Sequence, residues 1–375
     1  MIVGILKENQ EENRVSALPE IAANLIKLQA EVWVESQAGH RAFASDEDYK
    51  KINAQIKSRA EILSSADLLL TIHALQPNEL AQLKTNAVLL GVYQPLFNYA
   101  VMKDWAAKGL STFSLDMIPR TTRAQSMDVL SSQASVAGYK AVILSASHYP
   151  RYFPMLTTSA GSIPPAKVLI LGAGVAGLQA IATAKRLGAV VEVFDTRPAA
   201  KEEVMSLGAK FIEVDGAADA SKAGGYAVEQ SEEYKAKQKQ RISDAIAKAD
   251  IVISTAQIPG KKAPVLITKE MVERMKAGAL IVDLAASTGG NCELTQNNTT
   301  VNHNSVSIVG NSNLASSVPA DASKMYGKNI LNFLKLIIDD KGGLNLNFED
   351  DLVKGTCITY NGQIVNDRVK QLAEG

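Results

Sequence analysis

Cysteine is nearly absent: the 375-residue chain holds two, Cys292 and Cys357. They supply neither a disulfide framework nor a cysteine-rich zinc site. Histidine is scarce as well. His40, His73, His148 and His303 lie far apart, none at metal-ligand spacing from another, so no metal is expected. An excess of one charge is missing too, since Lys plus Arg and Asp plus Glu each number 39. A general nucleic-acid binder needs a basic face to meet phosphates, so no nucleic-acid partner is expected. Long apolar runs are lacking. The longest stretch near the middle without a charged side chain, Val168 to Ala184, contains Gly172, Gly174 and Gly177. It falls short of the roughly 20 residues of a spanning helix and reads better as strand, turn and helix. The apolar start of MIVGILKENQ is too short for a secretory core. The chain reads as soluble. What is plentiful is apolar character, 46% against 21% charged, enough for a packed core in about two or three domains.

Strand-like and helix-like pieces alternate through the first 130 or so residues. Ile2 to Leu6, Leu68 to Ile72 and Val88 to Val92 are short apolar strands, and Glu31 to Ser36 alternates as a strand does. Pro19 to Leu28 has helical spacing, with proline suited to the first turn. Alternation of this kind predicts a mostly parallel sheet covered on both faces. A long helix is expected from about Ser126 to Ser145. The connector YFPMLTTSAGSIPPA is then expected to be a loop, because Pro164 and Pro165 have no N–H to donate. A second α/β unit begins at Lys167. Its expected strands are Lys167 to Leu171, Val190 to Phe194, Lys210 to Glu213, Ile251 to Ser254, Ala279 to Asp283 and Ser307 to Val309. Residues 217–241 read as a loop and a polar helix. A helix around Ser323 to Ile337 is placed to return to the first unit.

The chemistry centres on KVLILGAGVAGLQAIATAKRLGAVVEVFD. Gly172, Gly174 and Gly177, with Ala173, Val175 and Ala176 between them, form a GxGxxG that follows an apolar strand and opens a helix. That context is what a dinucleotide site requires. The first glycine makes the tight turn, the second lets a pyrophosphate approach the backbone, and the third allows close helix–strand packing. The free N–H groups and dipole of the helix start suit the diphosphate. Asp195 ends the next strand, where an acid receives the adenosine ribose hydroxyls and repels the extra phosphate of NADP. NAD(H) is therefore favoured. Thr196 follows it, and Arg197, two residues on, is of a type that accepts that phosphate.

Arg120, Arg123, Gln125, Asp128, Ser131, Ser132 and Gln133 form a second polar group. Two readings stay open: a capped helix start with solvated charges, or a cradle for a nicotinamide carboxamide. His73, just after a strand, reads as structural. Cys292 lies near a strand end with nothing to activate it, and Cys357 reads as buried. Tyr226 lies in a glycine-flanked polar segment that is either a surface loop or a lid.

Six long segments carry a resemblance: RVSALPE, PRTTRAQSMDVLSSQASVAGYKAV, FPMLTTSAGSIPPAKVLILGAGVAGLQAIATAKRLGA, AGGYAVEQSEEYKAKQKQ, ADIVISTAQIPGKKAPVLI and GALIVDLAASTGGNCELT. The chain resembles the NAD(H)-binding component, the alpha-1 type of subunit, of proton-translocating NAD(P) transhydrogenase. The superfamily also holds alanine dehydrogenase. The resemblance implies an α/β fold of two Rossmann-like domains with parallel sheets, joined by long helices, with a cleft between them. It places an N-terminal domain at 1–130 plus 318–375 and the NAD(H)-binding Rossmann domain at 131–317. It implies a homodimer that docks on membrane-spanning and NADP(H)-binding subunits, peripheral to the inner face of the cytoplasmic membrane. Hydride passes directly between the two nicotinamides, so the work is positioning and exclusion of water. Arg120, Gln125 and Asp128 would sit by the nicotinamide, Ser131 would hold its carboxamide, and Tyr226 would belong to the closing loop. Gln257 would lie at the cofactor.

Alanine dehydrogenase uses an arginine, a lysine and a histidine on its substrate. Arg14 matches the arginine, but the other positions hold His73 and Gln94. The chain also departs from the usual pattern at Ser287, Thr288, Gln257 and Lys262. Three alternatives therefore stand beside the transhydrogenase component: an alanine-dehydrogenase-like enzyme, a non-enzymatic NAD(H)-binding module, and a structural or interaction protein without cofactor.

Overall fold

The computed structural model describes residues 1–214, 216 and 231–374. They divide into two compact units, Met1–Gln133 with Ser316–Gly375, and Ala134–Ala315. The division falls within one helix, Val129–His148. Two sheets of parallel-rich α/β character agree with the fold class expected from sequence.

In the first unit six strands follow in order: β1 (Ile2–Ile5), β2 (Glu31–Glu35), β3 (Gln55–Lys57), β4 (Leu68–Leu70), β5 (Val88–Gly91) and β6 (Ser111–Ser114). Helix Pro19–Lys27 starts at its proline and buries Ile21, Ala22 and Leu25 on one face. Helices Asp46–Lys50 and Arg59–Ser65 each begin with a serine capping box, Ser45 with Asp48 and Ser58 with Glu61. Every residue of β4 and β5 is buried, as expected where helices cover both faces of a sheet.

The second unit opens with a short antiparallel hairpin, β7 (Leu156–Thr158) and β8 (Gly161–Ile163). This corrects the loop expected there. The prolines flank the hairpin at 154, 164 and 165, where no ladder N–H is needed. The core strands are β9 (Lys167–Leu171), β10 (Val190–Phe194), β11 (Lys210–Phe211), β12 (Ile251–Ser254) and β13 (Leu280–Asp283), followed by β14 (Thr299–His303) and β15 (Val306–Gly310). Their order is β11-β10-β9-β12-β13-β15-β14. All pairs are parallel except β14 with β15, so the edge is antiparallel rather than continuing the parallel run. The third strand stops at Phe211, two residues before the expected end. The polar helix expected within 217–241 lies at Glu232–Ile246, capped by Ser231.

The chain then returns to the first sheet with helix Pro319–Ile337 and strands β16 (Cys357–Tyr360) and β17 (Gln363–Ile364). The completed order is β17-β16-β6-β5-β4-β1-β2-β3. Both sheets therefore reverse winding beside their first strand, at β1/β4 and at β9/β12. Ligands of open α/β sheets bind outside the carboxyl ends of strands at such a reversal. Among the described residues no helix is long and apolar enough to cross a membrane.

Candidate functional site: a dinucleotide-binding turn

At the β9/β12 reversal the chain leaves β9 through Gly172, whose φ is +102°. An L side chain there is strained, and a Cβ would also stand 2.5 Å from Thr255 Oγ1. Thr255, one residue past β12, donates its hydroxyl to the carbonyls of Leu171 and Gly172, at 3.3 and 3.1 Å. The turn is thus tied to the neighbouring strand. Helix Val175–Arg186 begins inside the glycine motif, with Gly174 as N-cap and no side-chain cap. A Cβ on Gly174 would meet nothing within 4 Å, whereas one on Gly177 would fall 1.9 Å from the Gly172 carbonyl oxygen. Gly177 closes the helix onto the turn, and Gly174 leaves space in front of it. The first-turn N–H groups, including those of Val175 and Ala176, lack a side-chain cap, so the donor set fits a diphosphate.

Asp195 follows β10. Its Oδ2 accepts the Ala173 N–H at 2.7 Å, which couples the acid to the glycine turn. Arg197 donates to the same carboxylate from its backbone N–H, at 2.8 Å, and from Nε and Nη2, both at 2.9 Å. Thr196 is half-buried between them in sequence. The hydrogen bond to Asp195, helped by that carboxylate's charge, raises the Arg197 pKa above its already high ordinary value, against the effect of burial. Gln257 is exposed and donates from Nε2 to the Leu284 carbonyl at 3.0 Å.

Three residues of this unit escaped the sequence reading. Gly138, in helix Val129–His148, lies where a Cβ would be 2.1 Å from the Ala176 carbonyl oxygen. Asp283, fully buried at the end of β13, accepts the N–H groups of Ala285, Asn291 and Cys292 and the Thr295 hydroxyl. The Asn291 side chain in turn bonds Ala256 at both its N–H and its carbonyl, and also the Pro264 carbonyl. Asp283 and Asn291 together fix the loop that carries Gln257. Only the small-residue run around Gly138 offered a signal for any of them. Cys292 is wholly buried inside this arrangement rather than facing a ligand.

In the first unit the structure brings Asp128 and Ser131 together. Asp128 accepts the Ser131 N–H at 2.9 Å and its hydroxyl at 2.6 Å. Asp128 therefore caps the helix, which starts at Val129 rather than Ser126; residues Thr122–Met127 form a 3-10 turn. Gln125 is exposed, and so is Arg120. Arg123 is drawn away to Asp350 and Asp351. Ser132 donates to Asn329 Oδ1 at 2.7 Å, and Gln133 accepts from Arg14 Nη1 at 2.7 Å. Arg14 also donates Nε and Nη2 to Glu12, whose Oε2 lies 2.8 Å from His73 Nε2. His73 is thus held in a polar network with Glu12 and Arg14. Tyr226 lies outside the described residues. Among the described residues no His, Cys, Asp or Glu cluster could hold a metal.

The same combination of two α/β sheets and a glycine turn recurs in known proteins. The model for the alanine dehydrogenase/PNT N-terminal domain matches residues 4–137, and that for the C-terminal domain matches 141–367. The first of the polypeptides that make up the NAD(P) transhydrogenase alpha subunit of Rhodospirillum rubrum is 46% identical over 376 residues, covering 98% of each chain. Alanine dehydrogenase of Mycolicibacterium smegmatis is 27% identical, covering 98% of this chain and 96% of its own. The crystal structure of transhydrogenase from Sinorhizobium meliloti aligns with a TM-score of 0.89 and 44% identity, over 97% of this chain and all of that one. The chain belongs to the alanine dehydrogenase/PNT family.

Proposed function

We propose that this chain is the NAD(H)-binding component of a proton-translocating NAD(P) transhydrogenase. It presents the nicotinamide of NAD(H) for direct hydride transfer to or from NADP(H) on a partner component. A membrane-spanning component couples the exchange to proton movement. One observation carries the reading: the open turn at Gly172, Gly174 and Gly177, bonded through Ala173 to Asp195, in a chain similar along its whole length to a transhydrogenase alpha-subunit polypeptide.

Residues 131–317 form the NAD(H)-binding domain, and 1–130 with 318–375 the other. The N–H groups after Gly174 take the pyrophosphate and Asp195 the adenosine ribose. Arg120, Gln125 and Asp128 lie by the nicotinamide. Ser131, its hydroxyl already oriented by Asp128, holds the carboxamide. Thr196, Arg197 and Gln257 border the cofactor. The protein works as a homodimer, attached through its partners to the inner face of the cytoplasmic membrane.

The test is hydride transfer from NADPH to an NAD analogue in the presence of a transhydrogenase NADP(H)-binding component. Each protein is omitted in turn. Transfer that needs both is expected. NADH binding without transfer, with turnover of pyruvate and ammonium instead, would place the chain with alanine dehydrogenase.

A further inference from the structure

Asp195 has no vacant acceptor position. Oδ1 receives the Arg197 backbone N–H and Nε; Oδ2 receives the Ala173 N–H and Arg197 Nη2. A carboxylate offers about four lone-pair sites, so this one is saturated by its own chain. The side chain of Asp195 is only 7% exposed and that of Arg197 22%. Two of the four donors are backbone groups fixed by the turns at Ala173 and Arg197. The other two sit on one side-chain guanidinium, as a planar fork.

A ribose diol presents a similar pattern to that fork: two donors held side by side, able to meet the two oxygens of one carboxylate. We propose that Arg197 is a gate on the adenosine-ribose subsite. Its Nε and Nη2 occupy Asp195 until the two ribose hydroxyls of the dinucleotide replace them. The inference rests on the reading of Asp195 as the ribose acceptor given above. It adds that this acceptor is closed by an internal mimic of its ligand.

The gate has a calculable effect. A ligand that binds only the open form has its affinity reduced by the fraction of time the site is open. If the fork is closed for most of that time, removing it tightens binding by roughly 3–10-fold. Association speeds up correspondingly. Had Arg197 served to hold Asp195 in place for the ribose, its loss would weaken binding instead.

The experiment is a titration of the full chain with NADH and with ADP-ribose, which carries the same ribose without nicotinamide. Wild type, Arg197→Ala and Arg197→Lys are compared, with thermal denaturation confirming that each is folded. Expected are a lower Kd for both ligands in Arg197→Ala and an intermediate value in Arg197→Lys, which keeps the charge and loses the fork. The Arg197 Nε–H resonance of the wild type should also shift on saturation. Equal or weaker binding by Arg197→Ala, or an unmoved Nε–H signal, overturns the gate while leaving the cofactor reading intact. Failure of wild type and both variants to bind either ligand removes the cofactor reading and the gate with it.

Discussion

Gly138 packs its Cα against the backbone carbonyl of Ala176, so closely that a Cβ would fall 2.1 Å from the oxygen. The contact seats the long helix on the first turn of the helix that follows the glycine turn. Both elements are backbone at the point of contact, so neither has a flexible side chain to yield.

Gly138→Ala should therefore cost more than an ordinary helix substitution. Alanine favours helix by about 1 kcal/mol over glycine, but forced overpacking costs about 1–3 kcal/mol, and here it meets a carbonyl. We expect a net loss of stability in chemical denaturation and weaker NADH binding, because the first-turn N–H groups move. A variant as stable as wild type would show that the two helices separate freely.

Glu8 and Glu12 should respond to pH with opposite signs. Burial pushes Glu8 up, against the lowering effect of His73 and the Ile72 N–H. Burial also acts to raise Glu12, but hydrogen bonds from Arg14 and His73 outweigh it and hold this carboxyl well below its ordinary 4.5. A raised folded pKa loses stability as pH rises above the unfolded value; a lowered one loses it as pH falls through the folded value. Glu12→Gln leaves Arg14 buried without its carboxylate and should cost about 3–5 kcal/mol at pH 7. Glu8→Gln should stabilise relative to wild type, by an amount that grows as pH rises above the unfolded carboxyl's ordinary value. Urea unfolding over that rise in pH decides it, and a Glu8→Gln advantage that shrinks with pH contradicts the assignment.

Asp283→Asn tests how the loops of the dinucleotide unit are held. The carboxylate accepts four donors in a fully buried site. An amide would turn an N–H₂ toward some of them and leave buried donors unpaired, costing about 1–3 kcal/mol for each one orphaned. Hydrogen exchange should rise first at Asn291 and Cys292. Unchanged protection there would show that the loop is held by other contacts.

Both thiols should be inert in the native protein. Burial raises Cys292 to about 11 and Cys357 to about 12, so the reactive thiolate is scarce at neutral pH. Iodoacetamide at about pH 7.5 should label neither until denaturant is added. Rapid native labelling of Cys292 would mean that the loop around Asp283 opens.

The glycine turn was legible because its chemistry is local. Strand, GxGxxG, helix and a following acid all lie within one stretch from Lys167 to Asp195. Most inner strands were legible for the same reason, as short apolar runs, but β6 (STFS) and β16 (CITY) mix in polar residues and were not expected. What escaped depends on distant partners. β3 and β17 are short edge strands that pair with the sheet on one side only. The β7–β8 hairpin hid behind flanking prolines. Nothing beside Gly138 in sequence says that Ala176 lies against it, and nothing near Asp283 says that its carboxylate gathers donors as far on as Thr295. Arg197 was visible as a cation near a phosphate-sensitive position. Its grip on Asp195 is a matter of side-chain geometry that spacing alone does not give.

Thr112 of β6 and Thr359 of β16 share a 2.8 Å hydrogen bond across 247 residues of chain. During synthesis at about 5–20 residues per second, β6 therefore waits roughly 12–50 s for its neighbour. The whole Ala134–Ala315 unit is made in that interval and draws no strand from either end. The ribosome thus delivers the inserted unit before the one that surrounds it. Until the last stretch arrives, the β6 edge and Phe113 stand uncovered, which makes them the natural place for a chaperone to hold the nascent protein.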